Sequence, residues 1–230
     1  MASEESAILA GSRAGTGTMT TTVFQGVTAD ADIKSENVTY ATARSGSSLA
    51  VQDSSSWSLI VGQATGYAIY ESFLGFDTSS IPDTDEIISV SLELYLKIDA
   101  STTNFVVQAR LHDWGAAVTT ADWVAGADLS GKTLLATLDT NGIGATGAYK
   151  AFTSDAAFKS NINKTGVTRI LLCSKEQTDN SAPTGDEYVT FEVADQADYP
   201  KLTVVHSGLT GPLVGGRLVG GGALAGRLVA

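Results

Sequence analysis

Cysteine is almost missing from this 230-residue chain: Cys173 stands alone, so no internal disulfide can form. Its place in the apolar run from Ile170 suggests a buried thiol. Histidine is nearly as scarce, with only His112 and His206. Any Ser/His/Asp triad or His-based metal site has to use one of these two, and both fall at strand ends, where a structural role is expected. The chain contains no Gly-x-Ser-x-Gly elbow, phosphate loop or dinucleotide fingerprint. Positive charge is also short: 14 Lys and Arg face 25 Asp and Glu, a net charge of −11. That balance excludes the basic surface a nucleic-acid partner needs. No run approaches the ~18 apolar residues of a membrane-spanning helix. The opening Met1 to Glu5 carries acid where a secretory signal carries base. The expectation is a non-enzyme with no nucleic-acid partner and no membrane span.

What is present is β-like. Hydrophobic residues make up 43% of the chain against 17% charged, with 24 Gly to serve turns. From Ile88 to Ile98, Ile88, Val90, Leu92, Leu94, Leu96 and Ile98 alternate with Ser89, Ser91, Glu93, Tyr95 and Lys97. Strand side chains alternate between faces, so this is a strand with one core face. Asn104 to His112 repeats the pattern, with Phe105, Val107, Ala109 and Leu111 inward and Gln108, Arg110 and His112 outward. Tyr67–Phe76, Glu187–Val193 and Lys201–His206 also read as strands, as do the shorter Val23–Gly26, Leu49–Gln52, Trp57–Val61 and Val167–Ser174. One short helix is predicted over Ser154–Ile162, with Ser154 as N-cap and Phe158 and Ile162 on one face. About ten strands without long helices between them imply two packed antiparallel sheets.

The chain divides into an N-terminal arm over 1–22, a sandwich body over 23–206 and a Gly/Leu/Val-rich tail over 207–230. Within the body, Tyr70-Glu-Ser-Phe-Leu-Gly-Phe-Asp-Thr-Ser-Ser-Ile-Pro82 reads as a core strand and a turn. Asp77 and the hydroxyls after it can bond the turn backbone, and Pro82 stops pairing. This stretch resembles the DNRLRE-type jelly-roll domains, whose central motif runs (S)FLxFDxSxIP and leads into a strand of the type I-x-x-A-x-L-x-L-Y-L. Here that strand is Ile87 to Leu96, with Val90 in place of the alanine. Tyr199-Pro-Lys-Leu-Thr-Val204 is similar to the family's closing strand, and Asp30 to Ile33 to an early strand carrying Asp. The resemblance covers about residues 28–206; the arm and tail lie outside it. It implies an all-β, antiparallel jelly-roll β-sandwich, a fold used in bacterial surface proteins, carbohydrate-binding modules and phage structural proteins. Tyr40 to Arg44 and Pro183 to Tyr188 look like its phage branch.

Candidate sites are few. Trp57, Trp114 and Trp123 can stack on sugar rings, or the last two can plug an open end of the sandwich. Asp30 and Asp32, with Glu36, offer oxygen ligands to a structural Ca²⁺, as do Asp179, Asp186 and Glu187. Neither set has EF-hand spacing, so solvated loop acids are the alternative, and no other cofactor is expected. The acids are numerous enough for a glycosidase pair, but no spacing selects two of them.

The tail repeats a degenerate unit in which Gly is followed two residues later by Leu. Leu213 and Val214, Arg217, Leu218 and Val219, Leu224, and Arg227, Leu228 and Val229 are its candidate docking residues. Gly-rich peptide loses too much backbone entropy to fold alone, and its apolar side chains need cover. An extended peptide received by a groove or a sheet edge satisfies both needs; a flexible linker is the alternative. These features, with the resemblance, lead to an accessory bacteriophage virion protein, a capsid decoration or tail-associated subunit. Its expected partners are other virion proteins and copies of itself, and it is made in the host cytoplasm and exposed after lysis. The alternative is a carbohydrate- or receptor-binding module of a tail fibre or cell-surface protein, with a surface glycan as partner.

Overall fold

A computed structural model describes residues 18–53 and 58–208, and within them the chain forms thirteen strands. In chain order they begin with β1 (Thr18–Gln25), β2 (Ala31–Glu36), β3 (Ala50–Asp53), β4 (Leu59–Ala64) and β5 (Ala68–Asp77). The middle of the chain forms β6 (Glu86–Asp99), β7 (Val106–Leu111), β8 (Leu134–Asp139), β9 (Ala148–Ala151) and β10 (Thr153–Ser154). Then come β11 (Val167–Ser174), β12 (Glu187–Phe191) and β13 (Lys201–Gly208). Three one-turn helices join them: α1 (Tyr40–Arg44), α2 (Ala156–Ser160) and α3 (Lys175–Asp179). The cap of α2 is Asp155, whose carboxylate accepts the Ala157 N–H at 2.8 Å, not the expected Ser154. Ser154 Oγ instead donates to Val90 O, while Phe158 and Ile162 are buried together as the pattern requires.

Pairing among the described strands is antiparallel throughout, in the order β1-β13-β6-β12-β4-β5-β11-β7-β8-β10, with β2 and β3 branching from β5 and β9 from β6. This large antiparallel sheet closes over one core as an all-β sandwich. Leu202, Val204, Leu92, Leu94 and Phe191 on one side share a cluster with Leu74, Phe76, Ile170, Leu172 and Val107 on the other. β4 reaches β12 only because residue 62 is glycine: its φ is +123°, and a Cβ there would lie 2.0 Å from Glu187 O.

β6 confirms the alternation in its middle and departs from it at both ends. Val90, Leu92, Leu94 and Leu96 are buried, but Ile98 is 52% exposed and Ile87, not Ile88, packs against the core. Each departure sits at a bulge. Val205 pairs with Ser89 but His206 with Ile87, and Thr190 pairs with Ile98 but Phe191 with Leu96. An extra residue on one strand reverses which face its neighbours use.

The second departure concerns the outward face of the layer built by β2, β5, β11 and β7. Gln108 and Arg110, expected outward, do leave the core, yet each is only 6% exposed. The long excursion between β7 and β8, with 3-10 turns at Thr120–Asp122 and Leu129–Gly131, folds back over this face. It lays Trp114, Val124 and Leu129 on Ile33, Phe73, Leu171 and Cys173 as a second core. β5 and β11 are therefore covered on both sides, which is why apolar residues stand consecutively in them, at Phe73 and Leu74 and from Ile170 to Cys173.

Candidate functional site

Where the excursion leaves β7 and rejoins β8, it frames a cleft of about 410 Å³. His112 and Asp113 follow β7, Lys132 precedes β8, Val167, Thr168 and Arg169 open β11, and Asn161 and Asn163 come from the loop after α2. Pairing of β7 with β11 brings these distant segments together.

The donors of the cleft are held in place. Lys132 Nζ lies 3.1 Å from His112 Nδ1, and His112 Nε2 lies 3.1 Å from Asp122 O. An ammonium can only donate, so Nδ1 is the acceptor and the proton sits on Nε2; the imidazole is neutral. Burial first, then the Lys132 cation, keeps its pKa below the ordinary histidine value. Phe73 backs the ring at 6.0 Å. Across the cleft, the Arg169 guanidinium lies 5.3 Å above the Trp114 ring and reaches Asp113 Oδ1 at 3.1 Å. Asp113 is 80% exposed, so this ion pair is a weak tether. Arg169 Nε is buried without a hydrogen-bond partner. In a chain of net charge −11, the cleft gathers two cations and one acid.

The most perturbed carboxyls lie elsewhere, sealed inside. Glu71 is fully buried, with Oε2 accepting Val124 N at 3.0 Å and Oε1 accepting Gln177 Nε2 at 2.7 Å; burial pushes its pKa up to about 8. Asp32, 1% exposed, is likewise raised to about 8 by burial. Asp32 pairs with Ser72 across β2 and β5, so Glu71, the neighbour of Ser72, projects from the opposite face of that layer. The two acids do not face each other.

The residues singled out from the sequence are distributed as follows. Trp114 is 3% exposed, covered by Arg169 and packed beside Gly75. Trp123 is half-buried against Gly46, whose φ of +91° and missing Cβ leave room for the indole. Both pack on the outer face of a layer, and both indole N–H groups are buried without partners. Asp30 accepts the Ala194 N–H at 2.8 Å, and Asp32 Oδ2 has no partner. Among the described residues, no group of three or more His, Cys, Asp or Glu converges. Trp57 and the tail residues Leu213, Val214, Arg217, Leu218, Val219, Leu224, Arg227, Leu228 and Val229 lie outside the described residues. Lys132 and Arg169 escaped sequence reasoning. The only sequence signal is an arginine that stands just before the apolar run from Ile170 to Cys173.

A second candidate region lies where the described residues begin and end. β1 and β13 pair without a break from Gln25↔Lys201 to Thr18↔Gly208, so the chain enters and leaves the body side by side. Among the described residues β1 is an edge strand, with Met19 and Val23 63% and 56% exposed on one face. His206 clasps this corner, its Nδ1 2.7 Å from Asp85 Oδ2 and its Nε2 3.1 Å from Thr22 Oγ1. The order hydroxyl, imidazole, carboxylate is that of a hydrolase triad. His206 and Asp85 are 5% and 8% exposed, and the three groups tie the edge strand to β13 and to the turn before β6.

Compared with protein-family models the chain matches none, and no curated protein matches it.

Proposed function

We propose that this chain is an accessory structural protein of a bacteriophage virion, a capsid decoration or tail-associated subunit. In this reading the body is a jelly roll of the DNRLRE type, carried on the particle by its terminal extensions. The observation that supports the reading is the pairing of Thr18 with Gly208. Both extensions attach at one corner of the sandwich, so a single contact area can hold both while the rest of the body faces away. The His206 clasp stiffens that corner, because pulling on β1 has to break the Thr22 bond as well as the strand ladder. A Gly-spaced Leu/Val peptide suits such a contact, since ordering it becomes favourable once a partner buries its side chains.

The test is incorporation into purified particles. Full-length chain and a chain ending at Gly208 are co-expressed with the other virion proteins, and far-UV circular dichroism checks that both bodies fold. The truncated chain is expected to be lost from the particles. Undiminished incorporation refutes the tail-anchor mechanism.

A further inference from the structure

We propose that the cleft between His112, Lys132 and Arg169 is a binding site for an acidic sugar, a small polar ring bearing a carboxylate or a sulfate. This proposal is independent of how the chain docks, because it concerns the body alone. The argument starts from charge. A surface this acidic repels anions at long range, so a cleft lined by Lys132 and Arg169 with one opposing carboxylate is a local exception.

The two cations are arranged for an incoming oxyanion. Lys132 spends one N–H on His112 Nδ1, which fixes the direction of the ammonium and leaves donors for a ligand. His112 is a poor competitor for the anion as a cation, because burial and then the Lys132 cation disfavour its protonation. Arg169 is braced from below by Trp114 and tethered only to an 80% exposed aspartate. Exchanging that tether for a ligand carboxylate or sulfate costs little, since an exposed ion pair is worth ~0–1 kcal/mol. A charge-assisted bond in a partly desolvated cleft is stronger.

Size and lining point to more than a bare ion. The cleft volume of about 410 Å³ lies within the ~300–1,000 Å³ of small-molecule sites. Asn161 and Asn163 line it; each spends one amide N–H inside the protein, on Ala157 O and Val167 O, and an amide nitrogen has a second for a sugar hydroxyl. A free sulfate would engage the cations and leave the rest to water.

The experiment uses the full chain, titrated by calorimetry with glucuronate, inorganic sulfate and glucose, while tryptophan fluorescence follows Trp114 beneath Arg169. Glucuronate is expected to bind with a Kd of about 1 mM, as suits an open, wet cleft. Sulfate should bind more weakly and glucose not measurably. Glucuronate should perturb the tryptophan emission as Arg169 leaves the ring. R169Q and K132M should each lose about tenfold in affinity or more. D113N should gain about threefold, because it frees the guanidinium without removing a cation. That last variant protects the test against simple misfolding. Glucose binding as tight as glucuronate, sulfate binding without glucuronate binding, or undiminished affinity in both R169Q and K132M overturns the proposal. So does weaker binding in D113N.

Discussion

Replacing Glu71 by Gln should make the protein more stable in alkaline solution, against the usual expectation for a buried polar residue. The fully buried carboxyl has its pKa lifted from the ordinary 4.5 to about 8, chiefly by desolvation, which outweighs the bonds from Val124 N and Gln177 Nε2. Between those values the folded chain keeps a proton that the unfolded chain has released. Stability therefore falls as pH rises through the window from 4.5 to about 8. At full conversion the shift corresponds to on the order of 5 kcal/mol. That is a large share of the ~5–15 kcal/mol that holds a domain together.

A glutamine cannot ionise, and the site can accommodate its extra donor. Gln177 Oε1 is buried without a partner, so turning that carboxamide over offers an acceptor to the new amide while Val124 N keeps its own. Urea unfolding of both proteins at about pH 5 and about pH 9 provides the measurement. E71Q should lie within about 1 kcal/mol of the parent at the acid end and several kcal/mol above it at the alkaline end. If E71Q is no more stable than the parent at the alkaline end, Glu71 is not the buried acid described here.

Two other outcomes follow from burial. Leu94→Ala, in the fully enclosed middle of β6, should cost about 3 kcal/mol, whereas Ile98→Thr on the same strand should change stability by less than about 0.5 kcal/mol. Urea midpoints decide it, and a large cost at Ile98 would mean that the bulge does not turn that side chain outward. Cys173, buried with its thiol pushed up to about 12, should resist an aromatic disulfide reagent in the folded protein and react fully in denaturant. Rapid labelling of the native chain would contradict its enclosure in the second core.

The cleft is the part of the molecule least legible in the sequence. Lys132 stands in a Gly/Ser/Thr stretch that reads as loop, and Arg169 follows a turn. Neither carries a spacing that recognises the other; they meet because β7 pairs with β11. The tryptophans were conspicuous as residues, but their fate depended on what folded over them. Trp114 is buried by Arg169 and the excursion rather than offered to solvent.

What the sequence by itself determined is nine of the thirteen strands and the core faces of the longer ones: the middle of β6, the bounds of β11 and the enclosed Cys173 follow from alternation and apolar run length. Those are local properties, set by a backbone that sends successive side chains to opposite faces. Tertiary structure alone decided that Ile98 faces out, that Gln108 and Arg110 are covered, and that two cations share one cleft. Bulges, coverings and clefts depend on which strand lies alongside, and pairing between segments far apart in the chain leaves no periodic mark within either one.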